Sequence, residues 1–159
     1  MNHHIDLDFA DGEYRFALTL DTISELQRKC DGDGIGLIYA RVLAGRQTVE
    51  AGGGHPGFGQ YKQQDLRETI RLGLIGGNHG LVGGEAVKVP PLRAKELVEA
   101  YVSRAENPLV MPLKEQWDLA ASILFATVEG YDPSGDDDDN EDDEAKKKVK
   151  TESSTSQPL

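Results

Sequence analysis

Residues 5–18 read IDLDFADGEYRFAL, and this stretch decides how the fold begins. Apolar side chains alternate with polar or charged ones on both sides of Asp11-Gly12, which is the pattern of two strands that each bury one face. A two-residue Asp-Gly loop favours a type I′ turn, because both of its positions need positive φ. The sequence therefore predicts a β-hairpin that closes at Asp11-Gly12.

The predicted turn also sets the register of the hairpin. On one face Asp8 lies opposite Arg15, which is a favourable cross-strand pair. On the other face all six apolar side chains come together, in the facing pairs Phe9–Tyr14, Leu7–Phe16 and Ile5–Leu18. A lone hairpin is only marginally stable in water, so the rest of the chain has to cover this apolar face.

Five helical segments are predicted after the hairpin, because apolar residues recur there every three to four positions. The first has an N-cap at Asp21 or Thr22, with Glu25 in the capping-box position relative to Thr22. Glycine-rich residues 45–61 and 78–89 are predicted to be loops. The fold class is therefore α+β and mostly α, with an N-terminal β-hairpin packed on about five short helices. The predicted helices are residues 21–29, 36–43, 63–75, 90–104 and 112–130.

Charge divides the chain into two parts. Of the net charge of −11 over 159 residues, residues 132–159 carry −6, from ten acidic residues and four lysines, and residues 1–131 carry −5. The acidic run at residues 136–144 has no apolar period, and like charges repel one another. We therefore predict one domain, residues 1–131, followed by a disordered acidic C-terminal tail, residues 132–159.

Composition argues against several classes of protein. A single cysteine, Cys30, cannot form an internal disulfide or a cysteine-rich zinc site. The acidic start has no basic segment followed by a long apolar one, so no signal peptide is expected. The longest nearly apolar run, residues 119–128, is too short for a membrane span. The acidic balance disfavours nucleic-acid binding, which needs clustered lysine and arginine. We expect a soluble intracellular protein with a protein partner.

Two motif matches fail on their surroundings. The letters Gly52-x-Gly54-x-x-Gly57 fit a dinucleotide fingerprint, but no strand precedes them and no helix begins directly after them. A flexible insertion is the favoured interpretation. Residues 31–34, Asp-Gly-Asp-Gly, begin like a calcium loop, yet the required oxygen ligands at its positions 5 and 12 are replaced by Ile35 and Val42. A polar turn between helices is favoured.

Titratable residues show no catalytic pattern. Cys30 lies on an apolar helix face, which favours a buried structural thiol over a nucleophile. The sequence contains no G-x-S-x-G, no P-loop and no HExxH motif. We predict no enzyme activity and no catalytic, cofactor-binding or metal-binding residue. The four histidines, none with metal-ligand spacing to a partner, are His3, His4, His55 and His79.

Three segments of the chain resemble the gene-transfer-agent tail assembly chaperones, a family also found in siphophage-type prophages and sometimes labelled a tail tube protein. Residues 11–26, DGEYRFALTLDTISEL, are similar to the family's DG-x-x-Y-x-L-x-L-T-L followed by L-x-E-L. Residues 65–77, DLRETIRLGLIGG, resemble the family's helix that ends in GL-x-GG. The third segment is the final apolar helix, residues 119–130. The resemblance spans residues 5–131; the loop at residues 50–61 looks longer than in the family, and the charged tail lies outside it.

The resemblance implies a non-catalytic function. A tail assembly chaperone binds the tape measure protein, keeps it soluble and helps the tail tube protein polymerise around it. The implied partners are the tape measure protein and the tail tube protein. Self-association is left open, and the composition predicts no nucleic acid and no membrane as partners. The implied location is the host cell cytoplasm, with absence from the mature particle.

Docking of a helical partner needs an exposed apolar stripe, and we look for it first on the fifth helix and the hairpin. The candidate partner-binding residues are Trp117, Leu124, Phe125 and Val128.

Two other functions and three roles of the tail stay open. The chain could be a structural virion tail protein, a tail tube or connector subunit, although tube subunits need a large β-sheet and only one hairpin is clear. A small enzyme could lie in the glycine-rich loops, if titratable residues cluster there in a pocket. The tail is a solubilising segment, an attractant for a basic partner, or a spacer before another module, which a frameshift at Lys146–Lys148 would add.

Overall fold

The computed structural model describes residues 1–50, 60–104 and 109–132, with the backbone but not the side chains of residues 45–50. Within these ranges the chain forms a four-stranded antiparallel sheet and five helices, so the fold is α+β and mostly α, as predicted. The elements in chain order are β1 (His4–Phe9), β2 (Gly12–Ala17), α1 (Leu20–Lys29), α2 (Ile35–Glu50), α3 (Gln63–Gly77), β3 (Gly80–Val82), β4 (Glu85–Val87), α4 (Pro91–Tyr101) and α5 (Leu113–Val128).

The first hairpin closes one residue earlier than predicted. Its two-residue loop is Ala10-Asp11, and Ala10 has a φ of 56°. Gly12 belongs to β2 instead, where a Cβ would lie 2.2 Å from the carbonyl oxygen of Leu81. Glycine at this position therefore allows the close approach of β3, and its freedom at positive φ is not used.

The register of the hairpin consequently differs from the prediction. Arg15 faces Asp6 and not Asp8, and its Nε donates to the Asp6 carboxylate at 2.9 Å. The shift amounts to two residues, so every side chain keeps its predicted face. The apolar pairs are Leu7–Tyr14 and Ile5–Phe16, while Phe9 pairs with Gly12.

A second hairpin lies where a loop was predicted. β3 and β4 are joined by Gly83-Gly84, and both glycines have positive φ, 59° and 84°. A two-residue turn of this kind matches the twist of an antiparallel pair. β3 pairs with β2, so the sheet order is β1-β2-β3-β4 and β1 is an outer strand.

All five helices differ from the prediction at their ends, and α4 ends at Tyr101 and not at residue 104. The N-cap of α1 is Thr19, which exchanges hydrogen bonds with Thr22 in a capping box. Glu25 has no part in this cap. α2 continues through Gly45 to Glu50, since a glycine inside a helix is destabilising by only about 1 kcal/mol and does not by itself end it. Residues 51–59, the rest of the predicted loop, lie outside the described residues.

The central helix α3 packs against β2, α1, α4 and α5. It comes very close to β2 at its C-terminal end, where a Cβ on Gly76 would lie 2.0 Å from the carbonyl oxygen of Ala17. The core around α3 includes the fully buried side chains of Tyr14, Phe16, Leu26, Leu66, Ile70, Leu74, Leu97 and Leu124.

Residues near the two ends of the described fold pair with each other. The backbone groups of Asn2 and Tyr131 exchange two hydrogen bonds of 2.8 Å, which places the chain after α5 beside the start of β1. None of the described helices has the length and hydropathy that crossing a membrane requires. The predicted tail, from residue 133 onward, lies outside the described residues, and the domain boundary at residue 131 stays a prediction.

Candidate functional site

An open groove with a volume of about 680 Å³ runs between β1 and α5. Leu7 and Phe9 contribute to its β1 side because side chains two residues apart lie on the same face of a strand. On its helical side, Leu119 and Ser122 are one turn apart on α5. Phe9 is buried, whereas Leu7 and Leu119 are partly exposed and available to a partner.

The rim of the groove is acidic. Asp8 lies at its β1 side, and Glu115 and Asp118 lie at its α5 side. Lys114 reaches Asp118 with its Nζ at 3.7 Å, but among the described residues no lysine or arginine lines the groove. An apolar floor with carboxylates around it suits a partner segment that carries apolar side chains flanked by lysine or arginine.

The groove also lies along an open sheet edge. The backbone N–H of Arg15 donates to His79 at 2.9 Å, so the odd-numbered residues of β2 direct their backbone groups toward β3. Backbone groups of successive strand residues point in alternate directions, so His4, Asp6 and Asp8 of β1 direct their backbone N–H and C=O groups away from β2. Side chains from both faces of β1 line the groove, which places it at this edge. An extended segment could add to such an edge, and a helix could lie in the groove beside it.

Two of the four predicted partner-binding residues are buried in the structure, and the other two are exposed. Trp117 and Leu124, 2% and 0% exposed, belong to the core, so neither offers a surface to a partner. The indole Nε1 of Trp117 donates to the carbonyl oxygen of Val42 at 2.8 Å. Phe125 and Val128 are 43% and 47% exposed, and Phe125 continues the groove side of α5, three residues after Ser122.

None of the four predicted residues lines the groove. The groove lies between the hairpin and the fifth helix, the two elements on which the sequence predicts a partner surface, and that surface stays a prediction. Leu7 was assigned to the covered face of the hairpin, and Leu119 and Met111 were not considered. The acids at positions 115 and 118, spaced by one helical turn beside Leu119, were the available signal for this side of α5.

Cys30 is buried, as predicted, and its surroundings suppress thiolate formation. Burial raises the pKa of the thiol to about 12, and the neighbouring negative charge of Asp65 adds to the effect. The thiol therefore stays protonated at neutral pH, and a protonated thiol is a weak nucleophile.

The carboxylates of the Asp31–Gly34 turn bind side chains of the chain itself. Asp31 accepts from the Nζ of Lys62 at 2.8 Å, and Asp33 accepts from the Nη1 of Arg41 at 2.5 Å. The second guanidinium nitrogen of Arg41 donates to the buried Asp65 at 2.8 Å. These ion pairs join the turn to α2 and α3, which agrees with the predicted polar turn between helices.

The remaining sequence motifs provide no further site geometry. Within residues 1–44, 60–104 and 109–132, no group of three or more histidine, cysteine or acidic side chains is arranged to hold a metal ion. His55 and the Gly52-x-Gly54-x-x-Gly57 motif lie outside the described residues. Comparison with known proteins finds no family model, no curated sequence and no solved structure that matches the chain.

Proposed function

We propose that this chain is a tail assembly chaperone of the phage type. It binds the tape measure protein, keeps that protein soluble and assists polymerisation of the tail tube protein around it. The observation that carries this function is the groove between β1 and α5, with its apolar floor and acidic rim. The resemblance of residues 5–131 to the chaperone family supports the same function. The proposed location is the host cell cytoplasm, with no copies in the mature particle.

The groove suits an amphipathic helix as its occupant. An apolar helix face would lie on Leu7 and Leu119, and lysine or arginine residues beside that face would pair with Glu115 and Asp118. Binding would remove the apolar face of the partner from water. The chain's net charge of −11 would then oppose aggregation of the complex by repulsion.

Co-expression with the tape measure protein of the same gene cluster tests this function. We expect the two proteins to co-purify and the tape measure protein to stay in the supernatant. Substitution Leu119→Glu places a charge on the groove floor and should weaken binding at least about tenfold, which corresponds to about 1.4 kcal/mol. The control Leu20→Glu adds the same charge at an exposed leucine of α1 and should bind like the wild type.

Circular dichroism of both variants establishes that they are folded. Failure of the wild-type chain to co-purify with the tape measure protein, together with unchanged solubility of that protein, would exclude the chaperone function. If Leu119→Glu and the wild type bind the tape measure protein equally well, the partner site lies outside the groove.

A structural virion tail protein is the second candidate. The observation that favours it is the four-stranded sheet with β1 at an open edge, which is larger than the single hairpin expected from sequence. Mass spectrometry of purified particles separates the two functions. A chaperone should be absent from particles, whereas a tube or connector subunit should be present in stoichiometric copies.

A further inference from the structure

A second cleft, with a volume of about 450 Å³, lies between α1, α3 and α4. It differs from the groove in charge, because four basic side chains line it: Lys29, Arg67, Arg71 and Lys95. They come from three different helices, so the fold and not a local run of sequence brings them together. A basic cleft is unexpected on a chain with a net charge of −11.

The acidic side chains of the cleft neutralise only part of this charge, since two of them lie among four basic ones. Glu25 and Glu68 both pair with Arg71, at 3.2 and 2.7 Å. Lys95 has its Nζ 4.0 Å from Glu99, at the outer limit of an ion pair. The Nε of Arg67 is buried and has no hydrogen-bond partner among the described residues. A buried donor without an acceptor is destabilising, and this atom has too little accessible surface to meet a group from outside the fold.

We propose that the acidic run at residues 136–144 of the same chain docks on this cleft. The run, DDDDNEDDE, contains eight carboxylates in nine residues and is the longest acidic run in the sequence. Its carboxylates complement the positive charges of Lys29 and Lys95 at the rim of the cleft. The binding is electrostatic and therefore weakens as salt is added.

The fold brings the run within reach of the cleft. Tyr131 pairs with Asn2, and His4, two residues later, pairs with Ala17. Ala17 contacts the end of α3 at Gly76, and Arg71 lies five residues earlier, about 8 Å along the helix axis. Strand and helix spacings thus place Tyr131 within roughly 30 Å of Arg71. From Tyr131 an extended chain spans at most about 17 Å to residue 136 and about 45 Å to residue 144.

Zero-length cross-linking of the full chain with a carbodiimide tests the contact, because the reagent joins a lysine amine only to a carboxylate that touches it. At low salt we expect links from Lys29 and Lys95 to residues 136–144. Lys114 is a matched control, since it is 65% exposed and Lys95 is 64% exposed, and it should form no link to the run. At about 0.5 M salt, where screening lengths fall below about 5 Å, the yield should drop at least fivefold.

Two variants separate specific docking from general attraction. Lys29→Glu with Lys95→Glu reverses the rim charge, and the other lysines of residues 1–132 should then form no more links to the run than Lys114 forms in the wild type. Replacement of the acids at positions 141–144, the part of the run that spans about 30 Å from Tyr131, by their amides leaves residues 1–132 untouched and should reduce the links at least about twofold. A mixture of ¹⁴N- and ¹⁵N-labelled chains shows whether links lie within one chain. Links from Lys114 equal to those from Lys95, links only between chains, or no links would each overturn the docking of this run.

Discussion

Trp117 lies at the junction of α5, α2 and the start of α3. Its ring centroid is 5.2 Å from that of Tyr61, and its indole N–H donates to the carbonyl oxygen of Val42 in α2. The helical pattern of the sequence shows that Trp117 is on the apolar side of α5, yet apolar residues serve equally for a core or for a partner. Only the position of α2, 75 residues away in sequence, assigns Trp117 to the core.

This position predicts a stability effect for Trp117. Substitution Trp117→Ala should lower the free energy of unfolding by about 3–5 kcal/mol, because it removes a large buried ring and leaves a cavity. Trp117→Phe keeps most of the ring and loses the hydrogen bond to Val42, so it should lower that free energy by about 1–2 kcal/mol. Urea unfolding followed by circular dichroism measures both. If Trp117→Ala has the stability of the wild type but no longer binds the partner, Trp117 belongs to the partner surface and not to the core.

A buried ion pair is the residue-scale feature that sequence could not predict. Asp65 is fully buried in the first turn of α3, where its carboxylate accepts from two guanidinium nitrogens of Arg41 and from the backbone N–H of Lys62. In the sequence Asp65 looks like an ordinary exposed acid at a helix start. Its burial depends on α2, which brings Arg41 to it across 24 residues.

At the scale of elements, periodicity predicts the type of each long segment, and close contacts decide the boundaries. The alternation of residues 5–18 correctly predicts two strands that share an apolar face. The predicted position of the turn is wrong because a glycine can serve either of two purposes: positive φ in a turn, or close approach of another strand. Gly12 serves the second, since β3 packs directly against it. The second hairpin was missed because its strands have only three residues each, too few for a period to be recognised.

The contact between α3 and β2 predicts opposite effects at two helical glycines. Gly76→Ala would place a Cβ 2.0 Å from the carbonyl oxygen of Ala17, so α3 or β2 has to move. We expect it to lower the free energy of unfolding by about 1–3 kcal/mol. Gly36→Ala in α2 meets nothing within 4 Å and should raise that free energy by up to about 1 kcal/mol through helix propensity. Thermal unfolding compares the two, and equal midpoints would contradict the close packing of α3 on the sheet.

At the scale of the whole molecule, the groove and the basic cleft are both made by elements far apart in the chain. β1 and α5, which form the groove, are separated by more than a hundred residues. Composition and periodicity predicted an α+β domain, which the structure confirms, and they directed the search for a partner surface to the two elements that border the groove. They could not predict the site itself, because a groove depends on how helices lie against a sheet. For the same reason, the four basic residues of the cleft look unrelated in the sequence.

The pairing of Asn2 with Tyr131 predicts that the N-terminus contributes to stability through its backbone. Asn2→Pro removes the donor that reaches Tyr131 at 2.8 Å, while Asn2→Ala keeps it. We expect Asn2→Pro to lower the free energy of unfolding by about 1–2 kcal/mol and Asn2→Ala to change it by less than about 0.5 kcal/mol. Differential scanning calorimetry of the two variants measures this, and identical melting temperatures would show that the pairing is not maintained in solution.

Because Asn2 and Tyr131 are adjacent, the described domain is suited to circular permutation, which changes the order of its elements along the chain. A short linker could join residue 132 to residue 1, and new termini could be opened at Gly83-Gly84, where a Cβ on either glycine would meet nothing within 4 Å. Such a circular permutant would retain every described helix and strand while moving both chain ends from the beginning of β1 to the β3–β4 turn. Because such a permutant omits residues 133–159, it would show how the groove binds a partner when the acidic run is absent.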